Sequence, residues 1–173
     1  IELLTADDCR VAILSSGGHR YGDIDLADPN FESQPYNKWL SYGRAKTANA
    51  LYALELNKRM PFGHANAVHP GAIMTELSRH LQPDDFAEMG SSMKDSGIVM
   101  KSLASGAATQ VWAITAPELE GRGGLYLEDC QIGFESPGPT TGYASYLKNH
   151  DNAQSLWNLS EQLVGQSFSF SRA

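Results

Sequence analysis

The stretch Ser41-Tyr42-Gly43-Arg44-Ala45-Lys46-Thr47-Ala48-Asn49-Ala50 decides how this chain of 173 residues is read. Tyr42 and Lys46 stand four positions apart. On a helix that spacing separates them by about 6 Å along the axis and about 40° around it, so both side chains reach one small volume. An ammonium beside a phenol favours the phenolate and draws its proton loss below the usual value of about 10. Tyr42 is therefore a candidate acid/base for exchange with a carbonyl or alcohol oxygen, and Lys46 is the cation that enables it. The same spacing also suits a half-buried ring beside a solvated amine, and the pair alone does not separate the two.

The flanks add context. Upstream, Arg10-Val11-Ala12-Ile13-Leu14-Ser15-Ser16-Gly17-Gly18 is a short apolar run ending in hydroxyls and glycines; downstream lies Ala67-Val68-His69-Pro70-Gly71-Ala72-Ile73-Met74-Thr75. The order strand-Ser, Tyr-x-x-x-Lys, strand-Pro-Gly resembles the short-chain dehydrogenase/reductase family. Within it, Gly106-Ala107-Ala108-Thr109 and the run from Pro117 to Tyr126 are similar to the branch holding retinol dehydrogenases and the WW-domain-containing oxidoreductase.

That resemblance implies an α/β fold, a Rossmann-type three-layer doubly wound parallel sheet. Residues 1–173 would form the C-terminal catalytic and substrate-binding part of a single domain. It implies an NAD(P)-dependent oxidoreductase that interconverts an alcohol and a ketone or aldehyde, with NAD or NADP as cofactor. By the same resemblance Ser16 is the catalytic serine, with Ser15 the weaker choice, Tyr42 the acid/base, and Lys46 the residue that tunes Tyr42 and holds the nicotinamide ribose. Pro70 and Gly71 match the loop beside the nicotinamide, and Ile73 and Thr75 match positions near its carboxamide or the adjacent phosphate. The branch implies a lipophilic small-molecule substrate; the family, whose equivalent of the Tyr42 helix commonly packs against its symmetry mate, implies a homodimer or homotetramer, with packing within one subunit the other reading of that helix.

Composition is that of a globular module, 42% hydrophobic and 19% charged, so one domain is expected. A net charge of -7 argues against a polyanion-binding surface and so against nucleic acid. No run approaches the roughly 20 apolar residues of a membrane span, and Ile1–Asp8 lacks a basic leader pattern. Cys9 and Cys130 read as thiols on strands in a reduced, cytoplasmic setting, and without a Cys-x-x-Cys pair no metal site is expected.

Along the chain, Ile1–Asp8 reads as the end of a helix and Arg10–Ser15 as a central strand, apolar on both faces. His19 reads as a surface turn or a pocket wall. The stretch from Tyr21 to Trp39 is a loop, the organising helix runs to Arg59, and His64–Val68 is the second strand. His69 reads as a loop-positioning or packed residue. Thr75 caps a short helix, and the irregular segment from Leu77 to Met100 reads as a mobile lid with Leu77, Leu81, Phe86, Met89 and Met93 as apolar contacts. A helix from Ser102 to Ala116 should turn Ala104, Ala107, Ala108, Val111, Trp112 and Thr115 to the sheet, with Pro117 stopping it. Gly123, Gly124, Leu125, Tyr126 and Leu127 read as a turn into a third strand, and after Cys130 the proline- and glycine-rich run Gly133–Gly142 is a loop. Tyr143 and Tyr146 belong to a packed tail or the cleft. A last helix, capped by Asp151, ends at Gly165, and the final residues through Ala173 read as frayed.

The 173 residues hold no glycine-rich turn between a first strand and helix and no Asn-Asn-Ala-Gly run. Gly121-Arg122-Gly123-Gly124 does not replace the turn, because it follows a helix and precedes a strand. The expectation is that the dinucleotide-binding N-terminal half lies before Ile1, leaving a three-stranded remnant with an open edge. Two other readings of the same residues stay open. One is a cofactor-retaining epimerase or dehydratase; the other is a nonenzymatic binding module derived from a truncated dehydrogenase.

Overall fold

The computed structural model describes residues 8–94 and 97–170, without the side chains of 89–94. Expectations for residues 1–7, for the Met89 and Met93 side chains and for 171–173 lie outside the described residues.

A four-stranded sheet in the order β1-β2-β5-β6 carries the fold: β1 Arg10–Leu14, β2 His64–His69, β5 Tyr126–Glu128 and β6 Gln131–Ile132. β1 pairs parallel with β2, and β2 with β5, while β6 returns antiparallel. The expected three strands are thus joined by a fourth. Its turn is Asp129-Cys130, at φ 50 and 53, a left-handed pair built without the glycine that usually signals such a hairpin. Cys130 sits exposed in that turn and Cys9 precedes β1, so neither thiol is on a strand as expected.

β2 is covered on both faces, which fixes the layering. Ala65 and Ala67 pack toward α1, Lys38–Arg59, and α4, His150–Val164, with Leu56, Trp157, Ala50 and Leu147. Val68 faces the opposite layer with Ala113, Ala116, Leu119 and Leu127, on and after α3, Leu103–Thr115. The alternation in β2 follows from the two-residue period of a strand, and Ala at 65 and 67 lets α1 lie close. Buried Asn66 is satisfied by accepting from Leu125 N at 2.9 Å and donating to Arg122 O at 3.3 Å. No strand among the described residues pairs with the outer side of β1.

α1 starts where Asn37 accepts from Leu40 N at 2.9 Å, and its buried face runs through Gly43, Thr47, Ala50, Leu51 and Leu54. Three expectations need correction. The segment from Leu77 to Met100 contains a twelve-residue helix, α2 Pro83–Lys94, because Pro83 at its start and Asp84 and Asp85 in its first turn outweigh the glycine and serines further on. α3 buries Gly106, Thr109 and Ala113, leaving Ala104, Ala107, Ala108, Val111 and Thr115 exposed. Small residues seat α3 on the sheet, so its larger apolar face turns outward. α4 is capped by Asn149, which accepts from Asn152 N at 3.0 Å, with Asp151 in the first turn. Gly165 ends it at φ 64 as expected. No described helix is long and apolar enough to cross a membrane.

Candidate active site

The site is assembled where β1 and β2 end. Directly after β1, Ser16 Oγ accepts from Gly18 N at 3.0 Å and starts a 3-10 turn, Gly17–Tyr21, that lies against α1. A methyl group on Gly18 would fall 2.5 Å from Tyr42 Cε1 and 3.4 Å from Ser16 Oγ, so the phenol ring and the serine hydroxyl meet over that glycine. Only a residue without Cβ lets the turn approach the ring so closely. One helical turn on, Lys46 Nζ stands 5.7 Å from the centre of the Tyr42 ring and donates to Leu14 O at 3.4 Å. Asn49, a turn further, donates to the same carbonyl at 2.8 Å. Partial burial lowers the Lys46 pKa from the usual lysine value. Ser16, Tyr42 and Lys46 are thus brought together at the end of β1.

The neighbouring serine is placed differently. Ser15 is buried and its hydroxyl donates to Lys46 O at 2.8 Å, which pins the strand end to the helix. Ser16 Oγ is instead held by the Gly18 amide, the glycine on which the Tyr42 ring packs.

His19, expected on a surface turn or along a pocket, is fully buried. Its Nε2 accepts from Ala144 N at 3.1 Å, so the proton is on Nδ1, which donates to Ser16 O at 2.7 Å. Thr47 and Tyr146 both donate to the His19 carbonyl, at 3.2 and 2.7 Å. Burial above all pushes the imidazole pKa down to about 4. Arg20 donates to Ser136 O at 3.0 Å and Thr141 O at 2.9 Å, which ties the Gly133–Gly142 loop to the same turn. Tyr143 and Tyr146 pack against the Ala50, Ala67 and Leu147 core, the tail rather than the cleft.

After β2 comes the second loop. His69 Nδ1 accepts from Gly17 N at 3.1 Å and from Gly71 N at 3.3 Å, a positioning role in keeping with the sequence expectation. Burial is the main cause that pushes its pKa down to about 4. Gly71 takes φ 89, a region that L side chains rarely adopt, and its Cα face lies under the Lys101 side chain, which pairs with Asp129. Pro70 and Gly71 therefore lie beside Ser16 through one imidazole. The Ile73 side chain packs on Gly106 of α3. Thr75 is exposed and caps the 3-10 turn Glu76–His80, accepting from Leu77 N at 3.3 Å.

β3, Ala72–Ile73, and β4, Met100–Lys101, pair parallel and close the base of the segment between them. Met74, Leu77, Phe86, Val99 and Met100 are exposed along it. The sequence reading did not identify His19 as an anchor, Asn49 as a partner of Leu14, or Lys101 as the cover of Gly71. The i, i+4, i+7 spacing of Tyr42, Lys46 and Asn49 was the available signal for Asn49; no local pattern announces the other two.

Comparison with known proteins bears on this arrangement. No family model matches the chain. It is 38% identical over 168 residues to the oxidoreductase CalI of Penicillium decumbens, covering 90% of this chain and 48% of that protein. Identity is 37% over 165 residues with the short-chain dehydrogenase/reductase Prx1 of Penicillium roqueforti, covering 91% and 47%. Retinol dehydrogenase 14 of Homo sapiens is 33% identical over 158 residues, covering 90% and 44%. The chain resembles part of a short-chain dehydrogenase/reductase of the retinol dehydrogenase branch. It spans about half the length of the curated relatives it matches. The crystal structure of an uncharacterised protein from Mycobacterium paratuberculosis superposes with a TM-score of 0.60 at 26% identity, over 93% of this chain and 52% of that one. The parallel sheet with helices on both faces is accordingly a Rossmann-type α/β fold.

Proposed function

We propose that the protein containing this chain is an NAD(P)-dependent oxidoreductase that interconverts an alcohol and a ketone or aldehyde, with residues 1–173 as its catalytic and substrate-binding part. The observation that carries this reading is the meeting of the Tyr42 ring and the Ser16 hydroxyl over Gly18, with the Lys46 ammonium 5.7 Å from the ring. NAD or NADP fits the residues present. Lys46 carries three donors and meets Leu14 O only at a long 3.4 Å, which leaves its ammonium able to take further acceptors. Lys46 would hold the ribose, and Pro70, Gly71, Ile73 and Thr75 would line the nicotinamide side. When bound, the nicotinamide exchanges a hydride with the substrate carbon.

The chain's own part is orientation and proton movement. Ser16 donates to the substrate oxygen, its hydroxyl held in place by the Gly18 amide. Tyr42 gives its phenolic proton to that oxygen during reduction and takes it back during oxidation. Lys46 stabilises the phenolate by charge from the next helical turn. The exposed apolar side chains from Met74 to Met100 would cover a lipophilic substrate.

Two measurements test the reading. NAD+ and NADP+ are titrated into the full polypeptide, and saturable binding of at least one is expected; absence of both ends the enzyme reading in favour of a binding module. Tyr42→Phe should lower turnover by roughly 10²-fold or more, the scale of general acid/base catalysis, and leave cofactor affinity within a few-fold. Wild-type turnover in that variant would remove Tyr42 from its role. An epimerase or dehydratase would instead retain its cofactor on purification and show no net turnover of added NAD(P)H.

A further inference from the structure

We propose that His69 is a positioning residue that couples the Ser16 loop to the Pro70–Gly71 loop, so that the two move as one body; its catalytic consequence rests on the oxidoreductase reading above. The strands supply the reason such a coupler is needed. The β1–β2 ladder ends with Ser15 N donating to Val68 O at 2.8 Å, and beyond it the two chains diverge into separate loops. His69 is the last residue of β2, and its ring fills the gap. An unprotonated imidazole nitrogen has one in-plane lone pair, and here Gly17 N and Gly71 N share it at 3.1 and 3.3 Å. A displacement of either amide is therefore felt by the other through a single atom.

Close packing makes the link stiff. A methyl group on Gly17 would lie 3.2 Å from His69 Nε2, so the backbone of the serine loop rests on the imidazole. Gly17 is also the residue between Ser16 and Gly18, whose amide holds the serine hydroxyl. Fixing Gly71, as occupancy of the loop beside it would do, thereby fixes the height of Ser16 under Tyr42. Protonation at Nδ1 would remove the lone pair and release both loops together. The ionisable groups that bear on the ring, Lys101, Asp129 and His19, lie around it, and burial keeps it neutral.

The test uses the full polypeptide carrying this chain and reads hydrogen exchange at single amides. In His69→Leu, which keeps bulk without an acceptor, Gly17 and Gly71 should exchange faster together by roughly tenfold, the factor an ordinary hydrogen bond is worth. His69→Asn, whose side-chain oxygen replaces Nδ1 as acceptor, should restore both. The β2 amides of Ala65 and Ala67 should change little, since they bond to Asn57 and Leu125. Acceleration of only one glycine, failure of Asn to restore either, or equal acceleration along β2 would overturn the coupling. Should the Leu variant not fold, the unaltered protein still decides: ring nitrogen shifts at neutral pH must show Nδ1 unprotonated and Nε2 protonated, and the reverse refutes the proposal. Added NAD+ or NADP+ should protect Gly17 as well as Gly71 in the wild type but only Gly71 in His69→Leu; protection of Gly17 in that variant also refutes it. If neither nucleotide binds at all, the oxidoreductase reading fails while the exchange and nitrogen measurements still judge the coupling.

Discussion

The floor of the candidate site and the segment from Met74 to Met100, called the overhang because its helix docks on the start of the Tyr42 helix, are built by opposite means. The floor is fixed by backbone-directed bonds from buried or half-buried groups: Ser15 to the Lys46 carbonyl, His19 between Ser16 and Ala144, and His69 between Gly17 and Gly71. The overhang from Met74 to Met100 leaves its 3-10 turn with no buried residue. Its helix α2 is tied to the start of α1 by side chains, Lys38 with Asp85 and Trp39 with Glu88 at 2.9 Å. On the proposed function, a serine hydroxyl held against a phenol needs the first kind of construction, and a cover that admits and releases a ligand needs the second. Local stability should therefore fall sharply between Ser16 and Leu77, and four measurements can break or sharpen that contrast.

The largest effect belongs to the floor. Leu51 is fully buried on α1. Leu51→Ala should cost about 2–5 kcal/mol in urea unfolding, because the lost burial is compounded by the cavity left under the Tyr42 helix. A loss below about 1 kcal/mol would show that this core repacks freely and that the floor is not rigid.

Acid should act on the floor next. Folding holds the His19 pKa at about 4 against an ordinary 6.5. Above pH 6.5 the imidazole is neutral in both states and contributes nothing. As pH falls from 6.5 toward 4 only the unfolded chain gains the proton, so stability declines. At about 1.4 kcal/mol per pH unit, the drop by pH 4.5 is roughly 2–3 kcal/mol from His19 alone, and His69 acts in the same direction and window. Imidazole resonances followed from pH 8 to 4 test this directly, and midpoints near 6.5 for both rings would contradict their role as neutral anchors.

Those two rings also show what a sequence conceals. The frame of the fold was legible because it rests on local signals: the apolar run 10–14, the Tyr42 to Lys46 spacing, Pro70-Gly71 as a stop, and Gly165 as a left-handed cap. Ser16, Tyr42 and Lys46 could be proposed together because the order of their motifs resembles that of a known family. What was not legible depends on partners far along the chain. His19 is buried because Ala144 and Tyr146 reach back to it from over a hundred residues away. Helix α3 has apolar residues all round, so periodicity could not tell which face meets the sheet, and the small Gly106 and Ala113 won by fit. Asp129-Cys130 turns a hairpin without glycine, and Pro83-Asp84-Asp85 opens a helix that Gly90, Ser91 and Ser92 disguise.

A third measurement probes the meeting point itself. Gly18→Ala places a methyl 2.5 Å from Tyr42 Cε1, and either the 3-10 turn or the ring must shift. Overpacking of this kind costs about 1–3 kcal/mol in stability. Turnover should fall further than that loss explains, because the ring leaves the serine hydroxyl. A variant with unchanged Tyr42 ring resonances and unchanged activity would mean that the contact is loose and the floor less constrained than the overhang requires.

The smallest effect is expected on the overhang, and it completes the contrast because the residue type and the change match the first. Leu77 is 69% exposed where Leu51 is fully buried. Leu77→Ala removes the same methyl groups but leaves no cavity, since little packs on them, and surface changes of this kind stay within about 0.5 kcal/mol in unfolding. If Leu77 covers a lipophilic substrate, the cost appears elsewhere: KM rises by a few-fold while kcat and cofactor affinity hold, because apolar contact made equally in ground and transition states affects binding alone. A stability loss approaching that of Leu51→Ala would mean that the overhang is packed as tightly as the floor in solution. An unchanged KM for every apolar alcohol or carbonyl tested would leave Leu77 outside the substrate's path and move the cover to the Ile98–Met100 end of the segment.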